Sequence, residues 1–354
     1  MAIGKGIFFF FCDKIFEKEK GQLEFGFVRF KQLKNMCTAI RFNNRYFGRT
    51  FDFERKFGES LLVVPRGKMT ILESTNQYAI MGIGVIFDDT PLCFDGVNEW
   101  GLVGAALNFP EYAHYQSPPA NGTGIPSGHL ITHVLGLCRS VGEARQMLDK
   151  IIITDEWIGG NRPTPLHWIF ADGRESMVVE QTLGGLRLYE DFAGVLTNSP
   201  DYNYQRTALS CYSCLSSRNP SPAFGGGKLH SRGMGAIGLP GDFSSSSRFV
   251  RAAFLKKWAF DHLSGGAADL KAAFSVLSSL AIPRGAVITD EGLPVVTLYT
   301  LTIDMEKPGY YLTTAICSAV SHIDLTASLC DGREITSYPI YRDEHILPLS
   351  DNMS

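Results

Sequence analysis

The chain predicts an α+β fold in which antiparallel strands are layered against helices, and three observations carry that prediction. Short β-branched and aromatic runs recur between turn signals, two helical patterns stand side by side in mid-chain, and 36 glycines among 354 residues punctuate the apolar runs. Hydrophobic content of 45% and charged content of 19% suit a soluble globular protein with a sizeable core, held in one large domain or two ordinary ones. A formal net charge of −3 leaves no electrostatic footprint for nucleic acid and no basic patch for anionic membranes. No apolar run reaches the length of a membrane-spanning helix.

Residues 1–35 pass from Gly6-Ile7-Phe8-Phe9-Phe10-Phe11-Cys12 into a lysine- and glutamate-rich stretch. The apolar run is shorter than a secretory core and no small-residue cleavage site follows it, so it does not read as a signal peptide. Three accounts of the segment are open. Translation begins at Met36 and the segment is a mis-assigned start; it is a propeptide cut before Cys37; or it is retained. Its lack of globular patterning favours the first. We therefore divide the chain into an extension, 1–36, and a single domain, 37–354.

The first patterned stretch is Met36-Cys37-Thr38-Ala39-Ile40, followed by Gly48-Arg49-Thr50-Phe51-Asp52. Asn43-Asn44 lies between two apolar-rich runs and predicts a hairpin. A two-residue loop places Cys37 opposite Thr50 and brings Arg49 and Asp52 close to it. A slip of one residue changes which of those two faces the thiol. Cysteine after methionine is small enough for initiator removal, which leaves Cys37 with a thiol and a free α-amine. That amine, with an ordinary pKa of roughly 7.7–8.0, can take the thiol's proton, so nucleophile and base reside in one residue. A nearby guanidinium favours the thiolate, and a carboxylate can hold the amine. Read alone, Arg49 and Asp52 form an ordinary ion pair on a hairpin.

Beyond the hairpin, Leu61–Val64 ending in Pro65-Arg66-Gly67 reads as a strand closing in a turn, and Tyr78–Phe87 as a buried strand. Asp95 to Leu102 reads as a turn into a further strand that ends at Leu107-Asn108-Phe109-Pro110. Asn108, flanked by apolar residues, is buried or turn-forming. Ser127–Cys138 and Val141–Ile151 read as two helices, the second opened by a capping box at Ser140 and Glu143. Leu166–Phe170, Met177–Gln181 and Leu186–Tyr189 form a meander turning at Asp172-Gly173. His129, His133 and His167 read as ordinary packed side chains.

Thr197-Asn198-Ser199-Pro200 reads as a turn after a strand, and Asn219 to Gly227 as a surface loop. The glycine-rich stretch from Gly233 lacks Gly-Lys-Ser/Thr, which argues against a nucleotide cradle. Serines 244–247 cap a helix whose first turn carries Arg248, an unfavourable place for a cation. A helix near Ala267–Leu280 and strands at Val295–Asp304, Tyr310–Thr314 and Ile335–Ile340 close the chain. The eight cysteines are scattered, mostly in apolar surroundings, which suits a reducing compartment. Cys211-x-x-Cys214 has no second pair or histidines at zinc-site spacing.

Met-Cys-Thr-Ala-Ile followed by Phe-Gly-Arg-x-x-Asp resembles the choloylglycine hydrolase family, N-terminal-nucleophile hydrolases that include bile salt hydrolases and penicillin V acylases. The resemblance runs from Met36 to about Asn352, roughly nine-tenths of the chain. It implies a four-layer αββα sandwich of two antiparallel sheets between helical layers. It also implies a site of Cys37, Arg49, Asp52, Asn108, Asn198 and Arg248: Cys37 as nucleophile, Asn108 in an oxyanion hole, Asn198 holding the scissile carbonyl, Arg248 in the catalytic set. No metal or organic cofactor is implied. Penicillin V acylases tend to carry tyrosine where Asn108 stands, so the resemblance points first to conjugated bile salts, with penicillin V or related linear amides second. Aromatic-rich stretches near Phe51, Phe109, Tyr112 and Phe224 are expected to supply an apolar pocket. A cytoplasmic homotetramer acting on a small molecule, without nucleic-acid or membrane partners, completes the expectation. If the extension is retained, a catalytically silent ligand-binding relative is expected instead.

Overall fold

Asn43 decides the first pairing of the chain. Its Oδ1 accepts from the backbone N–H groups of Arg45 and Tyr46, at 2.9 and 2.8 Å, which holds three residues in the turn rather than two. Phe42 N–H donates to Tyr46 O across that turn. In consequence Cys37 lies opposite Phe51 and Thr38 opposite Thr50, which corrects the expected Cys37–Thr50 pairing by one residue. A one-residue shift exchanges faces. Arg49, Phe51 and Phe53 therefore share the face of Cys37, while Thr50 and Asp52 share that of Thr38.

The computed structural model describes residues 36–68, 75–87, 89–119, 124–156, 163–222, 231–262 and 266–346. The proposed extension, apart from Met36, and the pocket aromatic Phe224 lie outside them. In chain order the strands are β1 (Met36–Arg41), β2 (Tyr46–Phe53), β3 (Ser60–Val64), β4 (Ile80–Phe87), β5 (Thr90–Cys93), β6 (Asp95–Asn98), β7 (Val103–Asn108), β8 (Gly124–Pro126), β9 (Ile152–Thr154), β10 (Leu166–Ala171), β11 (Ser176–Thr182), β12 (Gly185–Glu190), β13 (Val195–Leu196), β14 (Val296–Asp304), β15 (Gly309–Thr314), β16 (Cys317–Asp324) and β17 (Thr336–Pro339). The helices are α1 (Leu130–Leu137), α2 (Val141–Leu148), α3 (Tyr202–Leu209), α4 (Ser245–Phe260), α5 (Ala267–Ser278) and α6 (Ala327–Cys330).

Two antiparallel sheets result. One runs β13-β1-β2-β14-β15-β16; the other runs β12-β11-β10-β7-β6-β4-β3-β17, with β5 paired to β4. Helices α4 and α5 pack on the first sheet, α1 packs on the second, and β1 meets β7 between them. A core joining Phe51, Met81, Ile83 and Ala105 to Phe249 and Leu277 fills the space between the sheets and under α4 and α5. A second core, with Trp168 and Phe170 against Leu130, Val134 and Val141, seats α1 and α2 on the other outer face. Each such fully buried ring contributes on the order of 1.5–3 kcal/mol relative to exposure. The expected αββα sandwich is thus the observed architecture.

Differences from the sequence reading are local. Asp95 opens a strand, not a turn, and the turn falls at Asn98–Leu102, where Asn98 Oδ1 accepts from Trp100 and Leu102 N–H. Gly101 is required there: its φ is +81°, and a Cβ would stand 2.0 Å from Met305 O. The capping box forms in part, since Ser140 Oγ accepts from Glu143 N while the Glu143 carboxylate turns back to Arg139 N–H. Strand β16 and helix α3 escaped the pattern reading. Phe51 and Phe109 are core residues rather than pocket lining: Phe51 stacks on Phe53, Phe94 and Tyr299, and Phe109 lies under Tyr112 and His167. The outer rings of these two clusters, Phe57 and Tyr112, keep 37% and 38% of their surface exposed.

Candidate active site

Five of the six expected residues reach the site from strands β1, β2 and β7 and the loop after β13, and the sixth from the first turn of α4. Cys37 is buried, and its backbone N–H donates to Asn198 Oδ1 at 2.8 Å. Pairing of β13 with β1, Ala39 opposite Leu196, brings that loop alongside the cysteine. Ser244 caps α4, and the helix then delivers Arg248 fully buried beneath the hairpin. The Arg248 guanidinium donates to Cys37 O, to Thr38 Oγ1 at 2.7 Å and to Asn198 Oδ1 at 2.7 Å. The unfavourable place of this cation at a helix start is offset by these three buried acceptors.

These bonds fix the orientation of the Asn198 amide. Oδ1 accepts from two donors, and Nδ2 donates to the backbone oxygen of Asn108 at 2.9 Å. The backbone is held as well: Asn198 N–H donates to Ser245 Oγ at 2.9 Å, and Gln205 Nε2 reaches Asn198 O. Asn108, 4% exposed, ends β7 opposite Leu166.

Arg49 and Asp52 take opposite sides of the hairpin. Arg49 donates to Phe94 O, Asp95 Oδ2 and Ala106 O at 3.0–3.1 Å, and its buried Nε has no hydrogen-bond partner among the described residues. Burial raises the Cys37 thiol above its ordinary value, and the charge of Arg49 is the strongest influence in the other direction, followed by the Asp52 backbone N–H and Arg248. Asp52 lies opposite Met36. Its carboxylate accepts from Thr50 Oγ1 at 3.0 Å and Thr297 Oγ1 at 2.5 Å, and burial pushes it up to about 6 against the pull of Arg248.

The residue the sequence reading missed is Asp95. Fully buried, it accepts from Arg49, from Tyr299 OH at 2.8 Å and from Tyr310 OH at 2.9 Å. Asp95-Gly96 looks like a turn, and the tyrosines arrive from more than 200 positions away, so no local signal marks this network. Among the described residues no group of three or more His, Cys, Asp or Glu is arranged to hold a metal ion, and Cys211 and Cys214 are exposed. No helix among the described residues is long and apolar enough to cross a membrane.

Residues 37–338 match the family model of linear amide C–N hydrolases, the choloylglycine hydrolase family. The bile salt hydrolase/transferase of Lactiplantibacillus plantarum is 37% identical over 317 residues, 86% of this chain and 97% of that one. Its counterpart from Clostridium perfringens is 37% identical over 319 residues, 86% and 96% of the two chains. The crystal structure of a variant of the conjugated bile acid hydrolase from C. perfringens superposes with a TM-score of 0.81 at 35% identity, covering 88% of this chain and 99% of that one. A penicillin V acylase from Agrobacterium tumefaciens shares the fold, with a TM-score of 0.64 at 23% identity over 82% of this chain and 86% of that one.

Proposed function

Because the chain belongs to the choloylglycine hydrolase family of linear amide C–N hydrolases, we propose that it hydrolyses the amide bond of glycine- or taurine-conjugated bile acids with Cys37 as an N-terminal nucleophile. The observation that carries this reading is the nitrogen of Cys37 bonded to Asn198 Oδ1, an oxygen that Arg248 also holds. In the continuous chain that nitrogen is an amide. With residues 1–36 absent, the same nitrogen is an α-amine already beside the thiol and oriented by Asn198. Asp52, across from Met36, then faces the place where an α-ammonium forms.

The reaction follows from these positions. The amine takes the proton of a thiol that burial keeps neutral, and the thiolate attacks the amide carbonyl. Arg49, on the thiol's face of the hairpin, stabilises the sulfur's charge. The tetrahedral oxyanion takes hydrogen bonds from the Asn198 amide and from Asn108. The α-ammonium protonates the departing amine of glycine or taurine, leaving a thioester, and the amine then deprotonates the water that releases the bile acid. Phe57 and Tyr112 offer apolar surface for the steroid.

The same reading places the enzyme in the cytoplasm as a homotetramer, on the strength of the family resemblance, and size-exclusion chromatography with light scattering tests the assembly. The test of function is amine release. A chain expressed from Met36 is expected to free glycine or taurine from conjugated bile acids, and Cys37→Ser to free none. Release of phenoxyacetate from penicillin V in place of bile acid deconjugation would transfer the assignment to a penicillin V acylase.

A further inference from the structure

His167 has a more specific place than ordinary packing. Strand alternation on β10 turns it away from Trp168, which packs under α1 and α2, and toward the loop after β13. Its Nε2 lies 2.8 Å from the backbone oxygen of Thr197, and its Nδ1 lies 3.1 Å from Glu180 Oε1. The ring stacks on Phe109, with centroids 4.2 Å apart and planes 9° from parallel. A carbonyl only accepts, so Nε2 carries a proton, and the contact with Glu180 holds one more, on the imidazole or on the carboxyl. Both side chains are fully buried, and the proposed reaction uses neither.

Glu180 Oε1 has a second partner. It accepts the backbone N–H of Tyr202, the first residue of α3, at 2.9 Å. The segment from Thr197 to Tyr202 is therefore tied at its first residue by His167 and at its last by Glu180. Asn198 lies between those ties. Ser199 Oγ donates to Pro110 O at 2.8 Å, which joins this segment to the one that carries Asn108 and Phe109. One buried pair thus touches both asparagine-bearing segments.

We propose that His167 and Glu180 are positioning residues: they clamp the segment 197–202 and the Asn108–Phe109 corner so that both asparagine amides stand at Cys37. The inference rests on the reading above in which those amides serve Cys37. A misplacement of about 1 Å at a reacting centre can cost on the order of a hundredfold in rate, so a clamp has leverage that a packing residue lacks.

The experiment compares His167→Phe, which keeps a ring on Phe109 but makes neither hydrogen bond, with His167→Gln, whose amide N–H can still reach the Thr197 oxygen. Two readouts are taken on chains beginning at Cys37: kcat and KM on a conjugated bile acid, and the pH midpoint of Cys37 alkylation by iodoacetamide. H167F is expected to lower kcat about thirtyfold to a hundredfold with KM within about threefold, and to move the alkylation midpoint because Asn198 no longer orients the amine. H167Q is expected to recover most of both. A kcat within about threefold of the parent, or a loss of kcat with the midpoint unchanged, overturns the proposal. If H167F does not fold, Glu180→Met, whose side chain replaces neither hydrogen bond, decides by the same readouts: loss of kcat with a moved midpoint supports the clamp, and parental values overturn it. Alkylation needs no substrate, so an inactive parent with a normal midpoint signals failure of the bile acid assignment rather than of the clamp.

Discussion

The nitrogen of Cys37 and Oδ1 of Asn198 stand 2.8 Å apart although 161 positions separate them in sequence, and Arg248 donates to the same oxygen. Asn198→Ala removes the acceptor of both donors and the partner of Asn108 O. We expect kcat to fall by about a hundredfold or more, while iodoacetamide still modifies Cys37. Steady-state kinetics and mass spectrometry of the alkylated chain check this, and near-parental kcat would deny Asn198 its part.

Arg49 and Asp95 form a buried pair, so breaking it from one side leaves an uncompensated charge. Arg49→Leu should cost about 3–5 kcal/mol of stability and abolish activity. Arg49→Leu combined with Asp95→Asn should recover most of that stability, because no lone charge remains, without recovering activity. Thermal unfolding of the two variants separates the electrostatic cost from the catalytic one.

The pH dependence of Asp52 has opposite signs for stability and activity. Its folded pKa of about 6 lies above the ordinary carboxylate value of roughly 4. Between those values the folded chain holds a proton that the unfolded chain has released, so this group's contribution to stability falls as pH rises through the window. In the proposed mechanism Asp52 acts as a carboxylate, so activity should rise over the same range, with an acidic limb at or below about pH 6, since a free α-ammonium adds to the pull of Arg248. Asp52→Asn should lower activity and remove that limb from the kcat/KM profile.

Much of the fold was legible because its signals are local. Asn43-Asn44, the capping serines before Arg248 and the apolar runs of β3, β4, β10 and β14 announce themselves by turn chemistry and period. What was not legible depended on a side chain choosing between near-equal local options, or on partners far away in sequence. Asn43 Oδ1 bonds two successive backbone N–H groups, which adds one residue to the turn and moves Arg49, not Asp52, to the thiol's face. Asp95 has turn-like neighbours yet is buried by Arg49 and two tyrosines. Strand β16 alternates half-buried and exposed residues after the buried Cys317, but serine, histidine and alanine give that alternation little hydrophobic contrast. The site residues came from motif resemblance; hydrogen bonds now supply a physical reason for grouping Cys37, Asn198 and Arg248.

Gly101 offers a check on the fold apart from the chemistry. Its positive φ and the Met305 oxygen leave no room for a methyl group, so Gly101→Ala should destabilise the protein by at least about 1–3 kcal/mol. The melting temperature should fall with little change in KM for the surviving folded fraction.

The central claim is that Cys37 acts through its own α-amine, and one comparison tests it most directly. Two preparations are assayed for glycine and taurine release from conjugated bile acids, each with its intact mass measured: one chain whose first residue is Cys37, and one that retains Met36 and the preceding segment. Release confined to the first preparation is the predicted result. Equal release from the second, with its mass unchanged after turnover, would contradict the account, because the nitrogen of Cys37 would then be an amide with no basic lone pair to take the thiol's proton.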